Sequence, residues 1–267
     1  MGEAKIKTEL KGAVAIVTLN DPATMNAASG DLTLELIRAL QGFAIPESGV
    51  RCVVVTGEGR GFCSGANLSG GADSIGSDAD PAGPDAGAAL EAFYNPLVNL
   101  LREYPIPLVT AVNGAAAGVG CSLALMGDMI VAAEGAYFLQ AFRRIGLVPD
   151  GGSTYLLPRF IGKARAMEMM LMGDKIPAKT ALEWGLVNRV VAGSDLMTTA
   201  LEIADTLASG PRAMGQIRRL IWDSLDSEWM GQLHNERTAQ RTAGRSEDFM
   251  EGVAAFLEKR PARFNWR

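Results

Sequence analysis

Histidine and cysteine are scarce in this chain. Its 267 residues include one histidine, His234, and three cysteines without Cys-x-x-Cys spacing: Cys52, Cys63 and Cys121. These residues cannot form a metal cage of nitrogen and sulfur ligands, and no G-x-S-x-G turn accompanies the lone histidine to suggest a Ser-His hydrolase. Apolar or glycine-rich neighbours predict structural thiols in a reducing compartment, and His234 is expected on a helix surface.

The chain also lacks a basic excess. It carries 25 Lys and Arg against 30 Asp and Glu, a formal net charge of −5. This charge disfavours a nucleic-acid partner, although local basic clusters near residues 159–165 and 258–267 leave a small anion site open. Neither glycine-rich turn matches a dinucleotide or Walker motif, so no cofactor is predicted.

Targeting and membrane-spanning segments are missing as well. The N-terminal "MGEAKIKTELKG" has no apolar stretch typical of a secretory signal and no Ser or Thr at the sixth position for myristoylation. The small, apolar run at 114–135 contains Gly114 and Gly118 at GxxxG spacing, but Asp128 interrupts it. We therefore predict a glycine-rich turn, a helix and a strand there, no membrane partner and a cytoplasmic location.

The composition favours a soluble α/β protein of one large domain, with or without an appendage. Hydrophobic residues make up 48% of the chain, and glycine occurs 31 times. Alternating apolar patterns predict strands at 4–10, 13–20, 50–57 and 106–114, a helix with Asp31 as its N-cap, and a helix at 89–104. Residues 69–88 hold almost no large apolar side chains and predict a mobile binding loop or lid.

Helical spacing dominates the second half of the chain. We predict helices at 163–173, 177–185, 195–209, 211–225 and 246–260, with a short strand at 186–191. Ser194 and Asp195 are expected to cap one helix, and Pro211 to occupy the first turn of the next. The methionines in "MEMMLM", residues 167–172, are expected to pack in the core.

Two glycine-rich turns each follow a predicted strand. The first is "GEGRGFCSGANL" at 57–68 and the second is "NGAAAGVGCSL" at 113–123. Glycine and alanine let the backbone approach a ligand closely, and amides at the start of the next helix can hold an anionic oxygen. Either turn alone is read as a tight structural turn.

Taken together, the turns and the long block "AVNGAAAGVGCSLALMGDMIVAAEGAYFLQAFRRIGLVPDGGSTYLLPRFIGKARAMEMML" resemble the crotonase, or enoyl-CoA hydratase/isomerase, superfamily. The resemblance covers nearly the whole chain. It implies a spiral of ββα units at 1–195 that binds acyl-CoA and carries catalysis. It also implies a helical oligomerisation region at 196–267, a homotrimer or a hexamer of paired trimers, and coenzyme A only as part of the substrate.

The resemblance also implies positions for the catalytic groups. Backbone amides at Ala66 and Val119 match the family's oxyanion hole, and Gly118 shapes the second turn. The two hydratase glutamates are replaced by Ser122 and Phe142. Because serine is a poor general base and phenylalanine has no ionisable group, ordinary water addition is disfavoured.

Asp150 is the carboxylate that remains at a family catalytic position. Alone, an acid in "GLVPDGG" is read as a solvated turn residue or a helix cap. Its position matches the acid of members that shift double bonds, including the isomerase of ring-epoxide phenylacetyl-CoA. Chlorobenzoyl-CoA dehalogenase has a similarly placed nucleophile, but that enzyme also needs a tryptophan at the place of Phe142 and a histidine in an earlier helix, which this chain lacks.

Contacts to coenzyme A are implied at three further positions. The family places CoA-contacting backbone near Thr24 and Met25, and Lys259 matches a lysine that reaches CoA in some members, often from a neighbouring subunit. A solvated charge at a helix end is an equally good interpretation of Lys259.

The leading hypothesis is an enoyl-CoA isomerase-type enzyme. Asp150 carries a proton between two carbons, the amides of Ala66 and Val119 hold the thioester oxygen, and an apolar pocket around Phe142 excludes water. Burial is expected to raise the pKa of Asp150. The alternatives are a catalytically inactive CoA-thioester-binding scaffold and a residual hydratase. Acyl chain length, and whether the acyl group is aromatic, stay open.

Overall fold

Successive pairs of strands alternate between two sheets. The computed structural model describes residues 4–67 and 85–266. Its strands are β1 (Ile6–Lys11), β2 (Val14–Leu19), β3 (Cys52–Gly57), β4 (Gly61–Cys63), β5 (Leu108–Val112), β6 (Ala115–Ala117), β7 (Met129–Ala133), β8 (Tyr137–Leu139), β9 (Ile176–Pro177) and β10 (Arg189–Val191). β3, β5 and β7 enter a six-stranded sheet of order β1-β2-β3-β5-β7-β10, and β4, β6 and β8 enter a four-stranded sheet of order β4-β6-β8-β9. This alternation produces the expected spiral of ββα units.

The large sheet is parallel except for the β1–β2 hairpin. β3 and β5 are buried almost throughout, as their continuous apolar sequences "CVVVTG" and "LVTAV" indicate. The predicted strands at 4–10, 13–20, 50–57 and 106–114 are thus confirmed, with ends that differ by a few residues.

Helices fill the connections and form the end of the chain. They are α1 (Gly30–Ala44), α2 (Ala86–Ala89), α3 (Asn95–Arg102), α4 (Val119–Leu125), α5 (Ser153–Met172), α6 (Ala178–Glu183), α7 (Leu196–Ala208), α8 (Ala213–Ser224), α9 (Trp229–Ala243) and α10 (Glu247–Glu258). α4 is buried on every side, because its small and apolar residues lie inside the spiral.

Two predicted helix starts need correction, and a third is confirmed in position but not in its capping hydrogen bond. Ser29, rather than Asp31, caps α1, since its hydroxyl accepts a hydrogen bond from the Leu32 amide at 3.2 Å. Asp195 stands at the cap position of α7 but its side chain makes no capping hydrogen bond. Pro211 precedes α8 by two residues instead of lying in its first turn.

The predicted loop at 69–88 falls mostly outside the described residues. Its last part is helical: Asp85 caps α2, accepting from the Gly87 amide at 2.8 Å. The predicted helix at 89–104 then contains a π-helical turn, Leu90–Tyr94, in which the Asn95 amide donates to the Leu90 carbonyl. Pro96, at the start of α3, has no amide hydrogen to continue a regular helix through this point.

The prediction that the "MEMMLM" methionines pack in the core is largely wrong. Met169 is fully buried and Met170 packs partly against the core, but Met167 and Met172 are about half exposed. α5 presents a single face to the core, and residues this close in sequence point around the whole helix.

The C-terminal helices pack unequally against the spiral. α7 lies on β2, β3, β5 and β7 of the large sheet, and the division of the chain at residue 195 stays a prediction. The sequence pattern gave no bounds for α9, but His234 was expected on a helix surface, and it lies exposed on this helix. Among the described helices, none combines the length and apolarity needed to cross a bilayer.

Candidate active site

The two glycine-rich turns meet after the paired strands β4 and β6 of the four-stranded sheet. A Cβ placed on Gly65 would lie 3.0 Å from the Ala117 carbonyl oxygen, and one placed on Gly118 would lie 3.7 Å from the Gly65 Cα. Gly118 also has a φ of 52°, a conformation that favours glycine. A Cβ on Gly65 would be in tight contact, and Gly118 is favoured by its backbone conformation, so glycine suits both positions where turns distant in sequence become neighbours in the fold.

The residues after these glycines carry the predicted amides. Val119 is the first residue of α4, where a backbone amide has no acceptor within the helix. Ala66 forms an isolated parallel bridge with Ala28, in which the Ala28 amide donates to the Gly65 carbonyl at 2.8 Å. Among the described residues, the Ala66 amide donates no hydrogen bond. The fold thus brings two available amide donors into neighbouring turns.

Asp150 lies directly beside the second of these turns. A Cβ on the next residue, Gly151, would lie 2.9 Å from the Ser122 Oγ and 3.3 Å from a methyl carbon of Val119. The Asp150 carbonyl accepts hydrogen bonds from the Ser122 hydroxyl at 3.0 Å, and from the Ser153 hydroxyl and amide at 2.8 and 3.1 Å. Three donors therefore fix the backbone that presents the carboxyl group.

The hydrogen-bonding capacity of the Asp150 carboxyl group is much less well satisfied than that of its carbonyl. Its Oδ1 atom is buried and has no hydrogen-bond partner among the described residues. Burial raises the pKa of Asp150 to about 6 from its ordinary value of 3.8, as expected from the sequence. Such a group is ionised at neutral pH, yet it is a stronger base than a solvated aspartate.

Phe142 and Ser122, which the resemblance matches to the family glutamates, are both buried. The Phe142 ring lies beside the second turn, 3.6 Å from a Cβ placed on Gly118. Ser122 uses its hydroxyl to hold the Asp150 carbonyl. Neither residue offers a carboxylate; Ser122 holds the backbone of Asp150, and Phe142 packs beside Gly118.

The loop predicted to contact CoA packs against the first glycine-rich turn. The Ser64 hydroxyl donates to the Thr24 carbonyl at 2.8 Å, and the Ser64 amide donates to the Met25 carbonyl at 3.0 Å. Fully buried Asn26 fixes the loop further, since its side chain donates to the carbonyls of Glu58 and Gly61. Thr24 and Met25 therefore lie beside the turn that carries Ala66.

Lys259 is not brought to this site within the chain. It is exposed, it ends α10 in a left-handed conformation, and among the described residues no hydrogen bond or ion pair joins it to Thr24, Met25 or Asp150. A separate cleft of about 930 Å³ between the spiral and the C-terminal helices has His234 and Trp266 in its lining, but none of the predicted site residues.

The cysteines behave as the sequence predicted. All three are buried and unpaired, and burial raises their thiol pKa values, to about 11 for Cys63 and about 12 for Cys121. Such thiols are poor nucleophiles at neutral pH. In the parts of the chain that are described, no cluster of three or more His, Cys, Asp or Glu residues is arranged to hold a metal ion.

Two residues at the site were missed in the sequence. Ser153 holds the Asp150 carbonyl, and Tyr94 is buried with its hydroxyl donating to the Ala28 carbonyl at 2.8 Å. Ser153 lies three residues after Asp150, a spacing typical of a local turn, and this signal could have found it. Nothing in the local sequence places Tyr94 beside Ala28, 66 positions earlier.

Comparisons of the sequence and of the fold with known proteins point to the same family. Residues 9–267 match the enoyl-CoA hydratase/isomerase family. The chain is 42% identical to the 1,2-epoxyphenylacetyl-CoA isomerase of Escherichia coli, covering 97% of each chain, and 40% identical to a "probable enoyl-CoA hydratase" of Rhodobacter capsulatus, covering 98% of each. The crystal structure of an enoyl-CoA hydratase from Bacillus anthracis superposes with a TM-score of 0.90 at 30% identity, covering 98% of this chain and 100% of that one. Extensive sequence similarity and the shared fold show that the chain belongs to the enoyl-CoA hydratase/isomerase family.

Proposed function

We propose that this protein isomerises a CoA thioester by moving a proton with Asp150. The observation that carries the proposal is a carboxylate oxygen of Asp150 that is buried without a hydrogen-bond partner among the described residues, beside the turn of Val119, which itself meets the turn of Ala66. A buried polar atom without a protein partner is costly and is a frequent feature of catalytic groups.

The amides of Ala66 and Val119 act on the thioester oxygen. When a proton leaves the carbon next to a thioester, the electron pair of the broken C–H bond moves into the carbonyl system and negative charge develops on the oxygen. A preorganised donor stabilises such a transition state by about 3 to 4 kcal/mol. Each amide donates where that charge forms, so the enolate becomes accessible to a carboxylate base.

Asp150 accepts the proton and returns it. For a β,γ-unsaturated thioester, its carboxylate removes a proton from the α-carbon and the resulting acid protonates the γ-carbon, which leaves an α,β double bond. The proton is conserved, no water is consumed, and one carboxyl group is sufficient. A pKa near 6 suits this role, because Asp150 is ionised at neutral pH and its conjugate acid still gives up the proton.

A ring-epoxide thioester is a second candidate substrate. The 42% identity to 1,2-epoxyphenylacetyl-CoA isomerase favours it, and that reaction is also an isomerisation of a CoA thioester. Water addition is the less favoured reaction, despite the hydratases among the relatives, because Ser122 and Phe142 provide no second carboxylate.

The test is Asp150→Asn, which keeps the shape of the side chain and removes the base. The wild-type protein and the variant are incubated with a β,γ-enoyl-CoA, an α,β-enoyl-CoA and 1,2-epoxyphenylacetyl-CoA, and the products are identified by chromatography and mass. We expect the wild type to form an isomer of unchanged mass. The variant should lose roughly 100-fold or more of that rate, as is typical for removal of a general base, and retain binding of the thioester.

Asp195→Asn is the matched control, because Asp195 is an exposed aspartate at the start of α7. It should leave the rate unchanged. Full turnover by Asp150→Asn, or a product heavier by one water molecule, would contradict the proposal. Binding without turnover on all three thioesters would instead support the inactive scaffold.

A further inference from the structure

Tyr94 connects the π-helical turn to the segment that supports Ala66. It lies at the end of the π-helical turn Leu90–Tyr94, and its hydroxyl donates to the Ala28 carbonyl at 2.8 Å in a buried position. Ala28 is in turn bridged to Ala66, with its own amide bonded to the Gly65 carbonyl. Tyr94 is thus hydrogen-bonded to the residue whose amide holds the Gly65–Ala66 peptide, which carries the predicted oxyanion donor.

The geometry of this link restricts what Tyr94 can do. A tyrosine hydroxyl has one hydrogen to donate, and here that hydrogen is committed to Ala28. Tyr94 therefore has no proton to donate to a substrate, and a role as general acid does not fit. What it can do is fix the position of the Ala28 carbonyl and, through the bridge, of the segment that contains Ala66.

Two further observations support a role tied to the site. Burial, followed by the charge of Asp150 and the thiol of Cys63, raises the pKa of Tyr94 to about 12, so its hydroxyl keeps its hydrogen throughout the neutral range. π-helical turns are also costly insertions that are frequent at functional sites. This one ends at the residue whose hydroxyl reaches Ala28.

We propose that Tyr94 is a positioning residue for the thioester oxygen: its hydroxyl holds the Ala28 carbonyl and thereby fixes the amide of Ala66 where the enolate oxygen forms. This inference rests on the proposed function. Misplacing a catalytic group by about 1 Å can cost on the order of 100-fold in rate, so loss of this one hydroxyl should be visible in kcat.

The test compares Tyr94→Phe with Tyr104→Phe. Tyr104 is also buried and also donates its hydroxyl to a backbone carbonyl, that of Leu40 at 2.7 Å, but it is not part of the site. Both variants lose one buried O–H···O=C bond, so their thermal unfolding should change to a similar extent. The readouts are kcat and KM for a β,γ-enoyl-CoA, and the enolate absorbance of bound acetoacetyl-CoA.

We expect Tyr94→Phe to lower kcat by roughly 10- to 100-fold, with KM changed less than about threefold, because an oxyanion donor acts mainly in the transition state. Its bound acetoacetyl-CoA should show a weaker enolate band. Tyr104→Phe should match the wild type in all three measurements.

Three results would overturn the role of Tyr94: equal effects of the two variants, an increase in KM with unchanged kcat, or an unaltered enolate band in Tyr94→Phe. Asp150→Asn in the same assay separates this inference from the proposed function. If Asp150→Asn turns over normally, the proposed function fails; if it is inactive while Tyr94→Phe is normal, only the positioning role fails. The enolate band needs no turnover, so it tests the role of Tyr94 whichever thioester the enzyme converts.

Discussion

At the scale of single residues, the main chain and the side chain of Asp150 have opposite environments. Three donors from Ser122 and Ser153 satisfy its carbonyl, whereas its Oδ1 is buried without a partner among the described residues. Hydrogen bonds therefore position the main chain of Asp150, and its carboxylate oxygen is left available. This arrangement has a cost, because the buried carboxylate is less stable in the folded state than in water.

This cost predicts a pH-dependent stability difference between the wild type and Asp150→Asn. Between pH 4 and 6 the folded protein keeps a proton on Asp150 that the unfolded chain has released, so wild-type stability falls as pH rises through this range. The asparagine variant lacks this loss. It should be more stable at pH 8 by about 1 kcal/mol, allowing for the partial exposure of the carboxyl group, and equal to the wild type near pH 4.

Urea unfolding at both pH values measures the difference. Asp195→Asn, which changes an exposed aspartate, is the control and should give no difference that depends on pH. A variant that matches the wild type at pH 8 would show that Asp150 is not destabilised by burial.

At the scale of elements, Arg218 attaches helix α8 to the spiral. Its guanidinium forms a salt bridge with Asp128 at 2.8 Å and donates to the carbonyls of Arg102 and Tyr104, both at 2.8 Å, and of Leu101. Asp128 also accepts from the Leu108 amide at the start of β5. The acid that interrupts the apolar run at 114–135 is therefore the anchor for a helix about 90 positions later.

We predict that Arg218→Ala lowers the free energy of unfolding by about 3 to 5 kcal/mol, because it removes the counter-charge of the partly buried Asp128 carboxylate and the donor to three backbone carbonyls. The neighbouring Arg219 is more than half exposed and pairs with Glu103 and Asp223. Arg219→Ala should therefore cost less than about 1 kcal/mol. Denaturant unfolding compares the two, and similar losses would show that the Asp128 pair is not a special anchor.

At the scale of the whole molecule, the C-terminal helices carry large apolar side chains that are exposed to solvent in the described part of the chain. Phe256 is 83% exposed, and the group also includes Ile221, Trp229, Met230 and Leu257. Apolar residues exposed in such number on neighbouring helices are typical of a protein–protein interface. The surface agrees with the proposal that residues 196–267 mediate formation of a homotrimer or hexamer.

We predict that the wild type has three or six times the mass of one chain by light scattering, and that Phe256→Asp raises the dissociation constant at least about tenfold, since a charge would be buried at the interface. Leu10→Asp is the control, because Leu10 is an exposed apolar residue on β1, outside the C-terminal helices. A monomeric wild type, or a Phe256→Asp variant whose dissociation constant on dilution equals that of the wild type, would contradict the prediction.

Local sequence determined much of this protein. The family resemblance, rather than any local preference in "GLVPDGG", singled out Asp150, whereas β-branched runs predicted the strands of the large sheet and Gly65 and Gly118 marked the two turns. The strands and turns depend on conformational preferences within a few residues, so they can be read without the fold. The same local rules failed at the methionines of α5 and at the π-helical turn, where packing and Pro96 decided the outcome.

The tertiary structure decided what those residues can do. The proximity of Gly65 and Gly118, the three donors on the Asp150 carbonyl, and the contact from Tyr94 to Ala28 join segments that are distant in sequence. The pKa of Asp150 belongs to the same level, because burial is produced by the surrounding chain rather than by neighbouring residues. The sequence alone specified which groups are present, and only folding determined which of them are dry, paired or left available, because desolvation and hydrogen bonding depend on contacts in space.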